Sequence, residues 1–259
     1  MLHTRTSRAI AGAACIGIVL AAVALTGRWD GGVVRPVSVI AGSVGDALHG
    51  ELLVGDAAAP TSTSNPAPSS GQTGSEQNRA LAILDELPAT AAKRIPEYRR
   101  IAFGPTWQDV DGNGCSTRND ILARDLTDVQ RAPDGCTVLS GVLNDPYTGK
   151  RIDFRRGVDT SAAVQIDHRV PLALAWRSGA WAWTDRQRAA FANDPANLVA
   201  VDGPTNTAKS DSGPGEWTPP NAAYRCAYDR AYINLLKRYR LTVSADDRAA
   251  LRRGLEGCR

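Results

Sequence analysis

His168 stands directly beside a carboxylate, Asp167, and two later pieces of the chain carry residues of complementary chemistry. These are Asn197-Leu198 and Asn206-Thr207-Ala208-Lys209. The chain holds 3 histidines, and the other two, His3 and His49, fall in segments read below as lying outside the folded domain. Imidazole chemistry in that domain therefore rests on His168. A neutral imidazole near its ordinary pKa is a good base for water. A carboxylate from Asp167 and an amide oxygen from Asn206 are hard oxygen donors that suit a divalent cation, leaving positions for water and an anionic substrate. Taken alone, an Asp-His pair at the end of a strand is a satisfied surface or core pair. The ordered Asn-Leu and Asn-x-x-Lys tip the balance toward a site.

These residues need elements to hold them. Residues 162–166 form a short apolar run with β-branched residues and read as a strand ending at the Asp-His pair. Residues 197–201 read as a second strand. Gly203-Pro204-Thr205 then turns into a short segment, read as a helix, that carries Asn206 and Lys209. Between the strands lies a helical excursion, one helix starting at Pro171 and another capped by Thr184. Trp176, Trp181 and Trp183 are expected to pack this excursion against the core.

The order strand, excursion, strand, helix with these residues resembles the HNH (ββα-metal, or His-Me finger) nuclease superfamily. The matching residues are Asp167-His168-Arg169-Val170-Pro171, Asn197-Leu198 and Asn206-Thr207-Ala208-Lys209. The wider wording over roughly residues 100 to 258 is similar to secreted actinobacterial HNH proteins and to the C-terminal nuclease domain of GmrSD-type restriction enzymes. It includes the run from Asp167 to Trp176, Phe191 to Leu198, and Trp217-Thr218-Pro219-Pro220. The resemblance implies an α+β fold with a ββα-metal core and an endonuclease that hydrolyses phosphodiester bonds of DNA with Mg²⁺ or Mn²⁺. It further implies that His168 is the base and that Asp167 and Asn206 are the metal ligands. Asn197 would hold the His168 ring through its other nitrogen, and Lys209 would lie near the phosphate or brace the metal site. An RNA-cutting enzyme would use the same site.

The amino-terminal third reads differently. Arg5 and Arg8 precede a charge-free run from Ala9 to Gly27, the pattern of an export signal or a membrane anchor over residues 1–27. The basic end stays inside and the remainder goes outside, so the protein is expected to be secreted or anchored to the outer face of the membrane. Residues 28–75 are rich in Gly, Ala, Pro, Ser and Thr and read as a disordered linker. Residues 76–259 are long enough for one domain with a core, expected to be a monomer. Its first helix begins at Ser75.

Cys115, Cys136, Cys226 and Cys258 form an even set in an exported chain, which points to two disulfides. Four cysteines allow three pairings, and local loop closure favours Cys115–Cys136 with Cys226–Cys258. Asp109, Asp111, Asn113 and Asp120 match the spacing of a calcium loop, so Ca²⁺ is a second candidate ion. The competing account is a polar turn followed by a helix from Thr117 to about Val129. Residues 137–143 and 150–156 read as a β-hairpin flanking the site, with Arg151, Arg155 and Arg156, beside Arg169, as candidate phosphate contacts. Helices are expected from Asn221 to about Arg240 and from Ser244 onward. With 30 Lys+Arg against 27 Asp+Glu, net charge alone does not announce a nucleic-acid binder. A non-catalytic surface binding module with a calcium-stabilised loop is the alternative from another class.

Overall fold

The computed structural model describes residues 70–91 and 94–258. The described residues all lie within one compact unit, Thr63–Arg259. Residues 1–27, expected to be an export signal or a membrane anchor, most of residues 28–75, expected to be a linker, and His3 and His49 lie outside the described residues. No helix among the described residues is long and apolar enough to cross a membrane.

The fold is α+β. Helix α1 (Ser70–Glu86) starts ahead of the expected cap at Ser75. Helix α2 (Thr117–Asp125) leads straight into strand β1 (Leu126–Arg131), which pairs with β2 (Val138–Asn144), itself paired with β3 (Arg151–Arg155). All pairings in this sheet are antiparallel. The expected hairpin is thus two strands of three, and the helix expected to reach Val129 stops four residues earlier. Residues 126–131 have a helix-compatible composition, but β2 pairs with them at both ends, around an irregularity at Asp128 and Val129. Pairing partners override weak local propensity. Gly141 makes the close approach practicable, since a Cβ there would sit 2.9 Å from Leu126 Cδ2.

A second, two-stranded antiparallel sheet joins β4 (Val164–His168) to β5 (Leu198–Asp202), with Asp167 opposite Val199 and His168 opposite Leu198. Helices α3 (Leu172–Arg177) and α4 (Asp185–Ala192) fill the excursion, and α5 (Gly203–Lys209) follows β5. Thr184 and Gln187 form a reciprocal capping box on α4, and Asp202 caps α5 through Thr205 N–H. Strands β4 and β5 with α5 make the ββα unit. Two long helices, α6 (Ala222–Tyr239) and α7 (Ala245–Glu256), complete the chain.

Two apolar clusters lie on either side of the small sheet. Val164, Ile166, Leu198 and Ala200 pack with Ile121 and Leu122 of α2 and with Phe154 of β3. Val199 and Val201 join the larger cluster built from the helices, including Trp176, Tyr228, Tyr232 and Leu235. Strand side chains alternate between faces. One strand thereby serves both cores, and Asp167 and His168 leave β4 on opposite sides. Cys115–Cys136 and Cys226–Cys258 are the disulfides, with Cα separations of 5.2 and 5.9 Å.

Candidate active site

His168 ends β4, and its Nε2 lies 2.8 Å from the carbonyl oxygen of Ala192 at the end of α4. A carbonyl only accepts, so Nε2 carries the proton and Nδ1 keeps its lone pair. Burial lowers the imidazole pKa to about 4, against the opposing pull of the Ala192 carbonyl and the Asp167 charge. The ring is therefore neutral near pH 7. Trp107 lies parallel to it, with ring centroids 6.3 Å apart and planes 9° apart. Trp107 adopts a left-handed backbone with φ of 59°, a conformation that costs a non-glycine residue energy and is met where surroundings enforce it.

Asp167 points to the other side of the strand and is buried. Its Oδ1 accepts from Lys209 Nζ at 2.9 Å, and its Oδ2 accepts from the hydroxyl of Tyr147 in the β2–β3 turn. Lys209 Nζ also donates to the backbone carbonyl of His168 at 2.9 Å. Lys209 is 0% exposed, yet its charge is matched and it makes two hydrogen bonds. Its ammonium also lies 5.9 Å from the centre of the Trp217 ring. Burial lowers the Lys209 pKa, with the Asp167 charge opposing it.

The start of α5 is pressed onto the lead-in to β4. A Cβ on Gly203 would fall 2.0 Å from the Ala162 carbonyl oxygen, so only glycine fits there. That approach brings Asn206 to the strand, where its Nδ2 donates to Gln165 Oε1 at 2.9 Å. The amide oxygen of Asn206 is thereby turned away from Gln165. Asp167, His168 and Asn206 line one cleft of about 480 Å³ together with Tyr98, Arg100 and Asp211.

A family model described as GmrSD restriction endonucleases, C-terminal domain, matches residues 116–253. The chain belongs to this family. A relative from Arthroderma benhamiae, named an uncharacterized secreted protein, is 41% identical over 163 residues, which is 62% of this chain and 76% of the relative. No solved structure matches the chain. At the coarse level, the GmrSD C-terminal family makes this an endonuclease-type domain, within which the expected residues can be placed.

Asn197 has a different job from the one expected. It is 0% exposed, its Oδ1 accepts from Val170 N–H at 2.9 Å, and its Nδ2 donates to Val170 O at 3.3 Å. It pins the turn after His168, while the ring itself is held by Ala192. The difference arises because a backbone carbonyl at the end of α4 reaches the ring, and an excursion of helices cannot be placed from local patterning.

The arginines expected as phosphate contacts lie outside the cleft lining. Arg169 sends Nη1 to the carbonyls of Ala196 and Leu198, at 2.8 and 3.1 Å, and faces the Tyr224 hydroxyl. Arg156 bonds Val138 O at 2.7 Å and Asn119 Oδ1 at 2.6 Å. Arg151 pairs with Asp153 on the same strand, and Arg155 is an exposed residue of β3. None of them lines the cleft. Asp211 meets Arg177 at 2.7 Å.

The loop expected to hold calcium uses its acceptors internally. Asp109 accepts from the N–H groups of Gly112 and Gly114, at 2.8 and 2.9 Å. Asn113 Nδ2 bridges Asp111 and Asp120, both at 3.2 Å. Its backbone hydrogen bonds hold the Asp109 carboxyl below the usual carboxylate range, Gly114 contributing most. Among the described residues no three His, Cys, Asp or Glu side chains form a cluster that could hold a metal ion. The loop is a polar turn closed onto α2 and tied by Cys115 to Cys136.

At Asp167 and Asn206 the donor chemistry does suit a hard divalent cation. Each carboxylate oxygen of Asp167 holds one protein donor and retains a second acceptor site. Asn206, which lines the same cleft, could add a neutral oxygen donor, and water and phosphate would complete the shell.

Three contributors were not anticipated. Tyr147 sits in a turn whose composition, Asn144 to Gly149, signals only a turn. Trp107 and the Ala192 carbonyl come from segments whose reach depends on packing. None carries a local signal of function.

Proposed function

We propose that the chain is an exported endonuclease that hydrolyses phosphodiester bonds of DNA with Mg²⁺ or Mn²⁺. The observation that carries this is the neutral His168, tied through Nε2 to Ala192, sharing a cleft with Asp167 and Asn206. Nδ1 takes a proton from water as its oxygen bonds to phosphorus, and the P–O bond to the departing oxygen breaks. Asp167 and Asn206 would hold the divalent ion, which supplies charge stabilisation on the phosphate and the departing oxygen. Lys209 fixes the Asp167 carboxylate and the carbonyl of His168 together, so base and ligand keep a constant separation. Asn197 holds the chain as it leaves the strand.

Export is supported by the basic flank and apolar run at the N-terminus, by the secreted relative and by the two disulfides. The same residues would serve RNA, and substrate choice is decided by experiment. The oxidised full chain is incubated with plasmid DNA and Mg²⁺ or Mn²⁺, beside His168→Ala. Nicking or linearisation that disappears in the variant supports the proposal. Wild-type protein that leaves both DNA and RNA intact with every divalent ion sinks it.

A further inference from the structure

We infer that Arg100 contacts a backbone phosphate of the nucleic acid at the cleft, deepening the endonuclease proposal on which it rests. Charge around the cleft singles this residue out. Asp167 is paired with Lys209, and Asp211 with Arg177. Arg100 is the one cationic side chain among the residues lining the cleft. It is exposed, it has no ion-pair partner among the described residues, and its guanidinium makes only a 3.4 Å hydrogen bond to Gly104 O. A polyanion entering this cleft has no other lining cation to meet.

The backbone beneath Arg100 is held firmly while its guanidinium keeps a single long hydrogen bond. It opens a short 3₁₀ turn, Arg100–Phe103, whose Phe103 is 0% exposed and lies among Tyr98, Trp176 and Phe191. Trp176 Nε1 donates to Pro96 O at 2.8 Å, and Arg188 Nε donates to Ala102 O at 2.9 Å. The turn is thus bonded on both sides to the helices that follow β4. A guanidinium on such a base loses less freedom on binding than one on a loose loop, and its planar fork matches phosphate oxygens. Tyr98, two residues before Arg100, lines the same cleft. Tyr98 and Arg100 both precede the matched residues 116–253, so this part of the cleft lining is supplied from outside the family's matched region.

The test uses the full chain carrying His168→Ala, so that substrate survives, and a fluorescein-labelled DNA duplex titrated over a range of KCl. Arg100→Gln should weaken binding about ten-fold at low salt. It should also lower the slope of log affinity against log salt by about 0.9, as one lost phosphate contact does. Arg100→Lys should restore the slope. In the active protein, Arg100→Gln should raise KM more than it lowers kcat. Salt-dependent binding with an unchanged slope in Arg100→Gln overturns the inference and leaves the endonuclease proposal standing. Absence of salt-dependent binding to duplex, single-stranded DNA or RNA, with no cleavage by wild type, overturns both.

Discussion

Lys209 Nζ lies 2.9 Å from Asp167 Oδ1, and neither side chain is exposed. A buried ion pair of this kind is costly to halve, because removing one charge leaves the other in a poorly solvating interior. Lys209→Met should therefore destabilise the domain by about 3–5 kcal/mol. Urea unfolding would measure it. The double variant Lys209→Met/Asp167→Asn should recover part of the loss, and no recovery would show that the two side chains act independently.

Asn197→Ala should act on the turn after His168. It leaves the buried N–H and carbonyl of Val170 without partners. The cost expected is about 2–4 kcal/mol, from two unsatisfied backbone groups. Cleavage should fall because the turn loosens, while the His168 ring keeps its Ala192 bond. A ring nitrogen NMR signal unchanged in the variant would agree; a shifted tautomer would assign Asn197 to the ring after all.

The acid limb of cleavage should lie low. Burial depresses the His168 pKa to about 4, so the base stays unprotonated until the pH approaches that value. The rate should then hold through pH 6 and fall toward pH 4. The sign for stability is the same. Below about pH 6.5 the unfolded chain takes up a proton that the folded ring refuses, so stability declines from there down to about pH 4. A kcat/KM profile with its acid limb near pH 6.5 would contradict the depressed value.

Asp229 on α6 behaves in the opposite sense. It is 4% exposed, and burial raises its pKa to about 7, with Arg225 and Arg230 opposing. No hydrogen-bond donor reaches its carboxylate among the described residues, and Oδ2 lies where a Cβ on Gly254 would stand. The folded state holds its proton from about pH 4 up to about pH 7 while the unfolded state releases it, so stability is lost as pH rises through that window. Asp229→Asn should raise stability at pH 8 by on the order of 3 kcal/mol, with the gain vanishing near pH 3. Thermal unfolding at the two pH values checks it, and an equal effect at both would refute the titration.

Much of this was legible before any coordinates. β-branched residues in a short apolar run marked β4, and a continuous apolar run marked β5, which is buried on both faces. Capping residues at Thr184, Asn221 and Ser244 marked helix starts, because the first N–H groups need local acceptors. The pairing of cysteines by proximity along the chain also matched the fold. Residues 126–129, expected as the end of a helix, are strand because β2 lies beside them.

The sequence by itself determined the chemical kinds available: one histidine beside a carboxylate, an amide and a lysine at ordered spacing, and the ββα elements to carry them. Tertiary structure alone decided who holds whom. It set Ala192 on the imidazole, Tyr147 and Lys209 on Asp167, Asn197 on Val170, and Arg100 at the cleft. The reason is physical. Element type follows from local periodicity and capping, whereas these partnerships join residues separated by as many as 42 positions, and only packing brings such residues together.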